Sequence, residues 1–180
     1  MIEFKECPQF GYKPRTFANA SADATIAFAI NFDSAGEKLT KSLVNNQSKL
    51  YIAIKMDQYL SVQEDMIQKC VERLNQSKVK TLNIAGNGIY TFYRSGYNYM
   101  QENLDHYVYI FLKRINDHEY LKEKITHIRS GGQTGSDEAG AKAGEKMGIP
   151  TLVYAPCGWV FRDIHGKDIA NEYAFKARFL

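Results

Sequence analysis

The residues of this 180-residue chain best suited to chemistry sit in one short string, Ser130-Gly131-Gly132-Gln133-Thr134-Gly135, which runs on into Ser136, Asp137 and Glu138. Ile125 to Arg129 ahead of it reads as a buried strand, and Thr134 to Met147 behind it reads as a helix closed by Gly148. A glycine turn between strand and helix lets the backbone approach an anion closely. The unpaired amides and the dipole of the helix's first turn then favour phosphate. Ser130, Thr134 and Ser136 would add hydroxyl donors, and Arg129 could either clasp phosphate as a two-pronged fork or face solvent. No Gly-Lys-Ser/Thr closes the string and it is not GxGxxG, so ATP hydrolysis of the P-loop kind is disfavoured. A plain strand-to-helix turn is the competing reading; the loop's length and polarity weigh against it. A bulkier residue at Gly132 is therefore expected to remove ligand binding while leaving the chain folded.

Two further polar loops follow expected strands. One is Asn31 to Lys38, with Ser34, Gly36 and Glu37; the other is Gly86-Asn87-Gly88-Ile89-Tyr90. In an open α/β sheet the ligand lies beyond the carboxyl ends of the strands, at the switch point. Ser34, Gly36, Gly86 and Asn87 therefore join the ligand-binding candidates, and Tyr90 is placed to stack on a base. Glu37 and Glu138 are the acids that could do catalysis. Asp137 and Glu138 could equally do no more than complement the helix dipole, worth about 0.3–1 kcal/mol.

Those loops need strands and helices to hold them, and the pattern supplies both. Apolar runs at residues 25–30, 50–54, 79–85, 125–129 and 150–154 read as strands buried on both faces. Between them, 35–44, 61–75, 97–116 and 134–147 read as helices; Met66, Ile67, Cys70, Val71 and Leu74 make an apolar stripe on the second. The first 22 residues read as an irregular lead-in, and 159–180 as loop with a short helix. Alternation of this kind specifies a single α/β domain, doubly wound, with about five parallel strands and helices on both faces.

Bulk properties narrow the partners. A net charge of +3, with basic residues scattered among acidic ones, argues against nucleic acid. Three cysteines without CxxC spacing argue against a disulfide framework or a zinc site and fit a reducing, cytoplasmic setting. The four histidines share no metal-ligand spacing, and no apolar run is long enough for a membrane. Tyr90, Tyr93, Tyr97, Tyr99, Tyr107 and Tyr109 crowd one stretch. Core packing accounts for them most simply, and exposed tyrosines on the long helix would suit a homo-oligomer contact.

The string Ser130 to Gly135 with Asp137, the small-residue helix after it, Gly148-Ile149-Pro150 and the Pro156-Cys157-Gly158 turn together resemble the molybdenum-cofactor carrier family of the SLOG superfamily. Arg15-Thr16, Ala22 to Ile26, Gly36 to Thr40 and Leu82 to Gly86 also resemble that family, but they precede the glycine loop where the carriers have them after it. The chain thus resembles a circular permutation. The resemblance implies a Rossmann-like fold and a nucleotide-like ligand, a small phosphorylated molecule held by sensor, carrier or sponge. It also brings in two alternatives, nucleotide phosphoribohydrolase activity and molybdenum-cofactor carriage. The PGGxGTxxE signature of the phosphoribohydrolases is absent, and Ala35-Gly36-Glu37 stands where the carriers have Gly-Gly-Thr.

Overall fold

The computed structural model describes residues 1–180. Six strands form one sheet: β1 (Ile2–Glu6), β2 (Ala24–Ala29), β3 (Leu50–Lys55), β4 (Thr81–Gly86), β5 (His127–Ser130) and β6 (Thr151–Ala155). They lie in the order β1-β6-β5-β4-β2-β3, and every pairing is parallel. The intervening helices are α1 (Tyr12–Ala20), α2 (Ala35–Asn46), α3 (Glu64–Leu74), α4 (Ile89–Arg94), α5 (Gln101–Asp117) and α6 (Ser136–Lys146). Helices α1 and α2 pack together on one face, and α3, α5 and α6 on the other. This is a doubly wound, Rossmann-like α/β domain.

Hydrophobic burial explains the two unequal faces. Ile26, Phe28, Leu82 and Ile84 meet the stripes of α3 and α5 in the largest core cluster, which includes Cys70, Leu74, Leu104, Val108, Phe111 and Ile115. On the opposite face a small cluster of Ala20, Ala27, Leu43, Val44 and Tyr51 seals the sheet under α1 and α2. A third cluster, with Val153, Ala155, Phe161, Phe175 and Phe179, covers the β1–β6 end.

The lead-in is ordered as strand and helix, which corrects the expectation of an irregular segment. β1 is an edge strand whose Ile2 and Phe4 alternate with Glu3 and Lys5, so it shows no continuous apolar run. Helix α1 has no apolar stripe because its buried face is largely polar, Arg15 and Asn19 beside Ala20. Pro14 falls in its first turn, where a missing N–H costs nothing. Past β6, a 3₁₀ turn leads to a hairpin of β7 (Val160–Arg162) and β8 (Asp168–Ala170), and then to α7 (Glu172–Ala177). The clustered tyrosines mostly pack inward. Tyr99 and Tyr107 are buried and Tyr109 lies under Lys146, with the ammonium 4.1 Å from the ring centroid, so α5 presents no exposed tyrosine. No helix is long and apolar enough to cross a membrane.

Candidate functional site

From β2 the chain steps to one side for β3 and to the other for β4, so the loops after β2 and β4 diverge and leave a crevice between them. A cleft of about 260 Å³ opens there, lined from α1, the β2–α2 loop, the β4–α4 turn, the glycine loop and β7. Its volume falls just under the range of about 300–1,000 Å³ usual for small-molecule sites. The cleft suits one compact polar moiety with the rest of a ligand at the mouth.

Arg15 sits on the inner face of α1, only 7% exposed, and its Nη1 donates to the carbonyl of Gly131 at 3.1 Å. Burial pulls its pKa below the ordinary arginine range, and the nearby carboxylate of Asp137 opposes that pull. Its Nε has no partner, and neither have the Oδ1 atoms of Asn19 and Asn83, all three buried in residues that line the cleft. Unpaired buried polar groups are rare in folded proteins and each costs about 1–3 kcal/mol. Three of the chain's four such atoms belong to residues that line this one cleft, the fourth being Arg178 Nε.

Two carboxyl groups share the cleft with Arg15. Glu37 is held on the first turn of α2 by Ser34, the N-cap, whose Oγ accepts from the Glu37 amide at 3.3 Å. Burial, then the charge of Asp137, lifts the Glu37 pKa to about 7, against a hydrogen bond donated by the Tyr51 hydroxyl at 3.4 Å. Burial lifts Asp137 to about 6, with Arg15 the main opposing influence and the Gln133 amide, 3.4 Å away, the next.

The glycine loop is built differently from the expectation. Its three hydroxyls are spent on the protein. Ser130 Oγ donates to the Asp137 carbonyl at 2.6 Å and accepts from the Gly132 amide, Thr134 Oγ1 donates to the Arg162 carbonyl, and Ser136 Oγ donates to the Phe28 carbonyl. Gln133 Nε2 holds the carbonyl of Val160, and the amides of Gly135 and Ser136 go to Gln101 and Asn87. Only the amides of Gly131, Thr134 and Asp137 remain free for a ligand. The loop thus anchors the β7–β8 hairpin as much as it lines the cleft.

Of the other sequence candidates, Ser34, Gly36, Gly86 and Tyr90 line the cleft. Asn87 lines it too, but its side chain is a clamp: Oδ1 accepts from the amides of Ile30 and Asn31, and Nδ2 donates to the Asn31 carbonyl. Arg129 lies elsewhere, gripping the end of α1 through the Ala18 carbonyl and Ser21 Oγ. Glu138 is turned away from the cleft into an ion cluster with Lys142 at 2.7 Å and Arg178 at 2.6 Å. Gly132, with φ of 70°, is demanded by packing. A Cβ there would stand 2.5 Å from Phe175 and 2.6 Å from Val153, so a bulky residue would disturb the fold, contrary to expectation. Arg15, Asn19, Asn83, Tyr12 and Arg162 also line the cleft and were not among the sequence candidates. The Arg15-Thr16 pair was the one signal for them, through the family resemblance.

No group of three or more metal-ligating side chains gathers anywhere in the chain. Neither a curated protein nor a solved structure matches the sequence. A family model does match, over residues 2–92, half of the chain and the half that contributes Arg15, Glu37, Asn83 and the β4–α4 turn. With a parallel sheet whose ligand edge lies where this superfamily binds small nucleotide-derived molecules, and with the glycine loop displaced to the later half, the chain belongs to the circularly permutated YpsA SLOG family.

Proposed function

We propose that the cleft captures a phosphorylated nucleotide or nucleotide-derived metabolite. The observation that carries this reading is Arg15, a buried cation with an unpartnered Nε at the crevice between the β2 and β4 loops. A guanidinium there neutralises a phosphate in a low-dielectric setting, where a charge-assisted hydrogen bond is stronger than at the surface. The free amides of Gly131, Thr134 and Asp137 add donors on the glycine loop that Arg15 touches. Tyr12, 56% exposed, and Tyr90 stand at the mouth, where a base could stack. Arg15→Met keeps much of the packing volume and removes the charge. Loss of nucleotide binding by about 100-fold or more in calorimetric titration is expected; unchanged affinity would count against the assignment.

A second reading, hydrolysis of an N-glycosidic bond, draws on the pairing of Glu37 with Asp137. A carboxyl group with a pKa of about 7 is tuned for general base work at neutral pH. In such a reaction water adds to the anomeric carbon, its proton passes to Glu37, and the base departs after taking up a proton. Glu37→Gln should then abolish release of free base while sparing capture; equal turnover would end that reading. The molybdenum-cofactor carrier alternative draws on the shared loop alone and has no feature of the cleft behind it.

A further inference from the structure

The hydrogen-bond balance of the cleft floor is unusual for a site built around phosphate. Its one fully buried cation is Arg15, part of which is already committed to the Gly131 carbonyl. Against it stand acceptors: the carboxyl groups of Glu37 and Asp137 and the unpartnered Oδ1 atoms of Asn83 and Asn19, on residues 2% and 5% exposed. The contacts that Glu37 and Asp137 receive from Tyr51 and the Gln133 amide are both long, at 3.4 Å. Asn83 Nδ2 is held by Thr25 Oγ1 at 3.2 Å, which leaves its carbonyl without a donor. Among the buried side chains of the floor, acceptors outnumber donors. A second phosphate would bring only more acceptors and negative charge against two carboxylates. Hydroxyl groups bring donors without charge, and a vicinal diol offers two that are spaced to meet one carboxylate.

We infer that the floor of the cleft is a sugar subsite in which Glu37, Asp137, Asn83 and Asn19 receive the hydroxyls of a ribose, so that the protein selects ribonucleotide over deoxyribonucleotide ligands. This rests on the nucleotide reading above and adds to it the part of the ligand that the floor recognises. Arg15 then takes the phosphate at the edge of this subsite, and the base projects towards Tyr12 and Tyr90.

The test is calorimetric titration of the wild-type chain with ribose 5-phosphate and with 2-deoxyribose 5-phosphate. It is repeated with the four ribonucleoside monophosphates and their 2′-deoxy counterparts, so that a ligand needing its base is not missed. A preference for the ribo form of about tenfold or more is expected, since each hydroxyl lost leaves a charged or buried acceptor unpaired. Glu37→Gln and Asp137→Asn, near-isosteric changes whose folding circular dichroism would verify, should shrink that preference. Equal affinity for the ribo and deoxy members of every pair that binds would overturn the sugar subsite and leave nucleotide capture standing. Failure of all probes to bind would overturn both.

Discussion

Arg15 faces two carboxyl groups, Glu37 and Asp137, an imbalance of charge that a proton relieves. For Glu37 the sign follows from linkage. Its pKa rises from about 4.5 unfolded to about 7 folded, so the native state holds the extra proton between those values. Its contribution to stability is complete below about pH 4.5 and is lost as pH rises through about 7, an effect on the order of 3 kcal/mol. Thermal unfolding of the ligand-free protein should therefore lose stability over that window, and Glu37→Gln should flatten the slope and unfold at a higher temperature than wild type at pH 8. A variant with an unaltered slope would show that Glu37 titrates normally. At this scale the sequence was half legible. Glu37, Asp137 and Gly131 could be named because a polar loop beside an expected strand end is a recognisable pattern. Arg15, Asn19 and Asn83 could not, because nothing local separates a buried polar side chain facing a cleft from an exposed one.

The elements divide the labour of holding that cleft. The glycine loop, which in the sequence looks like the ligand's cradle, spends its hydroxyls and the Gln133 amide group on α6, β2 and the β7–β8 hairpin. Helix α7 returns the favour: Arg178 Nη2 donates to the Gly132 carbonyl at 2.7 Å, pairs with the buried Glu138 and lies over Phe161 with its Cζ 4.2 Å from the ring centroid. Arg178→Met should destabilise the chain by about 3 kcal/mol in chemical denaturation, the low end for a broken buried pair, because Lys142 still neutralises Glu138. A change below about 1 kcal/mol would mean that the aromatic packing alone fixes α7. Both α7 and the hairpin were unreadable in detail because their strands are three residues long and their apolar residues meet β6 only in the fold. The strands and helices from Ala24 to Asn46 and around α3 were readable for the opposite reason, since continuous apolar runs and a clean stripe record burial directly in the sequence.

Over the whole molecule, permutation moves the glycine loop to the later half of the chain without moving it in space. β5 lies next to β4, and the loop after β5 reaches the same crevice as the loops after β2 and β4. The edge strand β1, paired only with β6, brings the chain to the mouth of the cleft and leads it into α1, so the segment that carries Arg15 depends on the last long strand for its position. The parallel alternation was legible in the sequence, whereas the sixth strand was hidden by the charged alternation of an edge. This crevice is proposed to hold a nucleotide-derived ligand beside Arg15 and the glycine loop, which touch one another at Gly131. Gly131→Ala tests it without a backbone penalty, because Gly131 lies outside the positive-φ glycines, while a Cβ there would stand 2.6 Å from Asp137 Oδ2 and 3.2 Å from Arg15 Cζ. The deciding measurement is native mass spectrometry of wild type and Gly131→Ala, each mixed with the same panel of nucleotides, cyclic dinucleotides and ADP-ribose derivatives. Retention of a ligand by wild type and its loss from a folded Gly131→Ala variant is the predicted result; equal retention by both, or retention by neither, would contradict it.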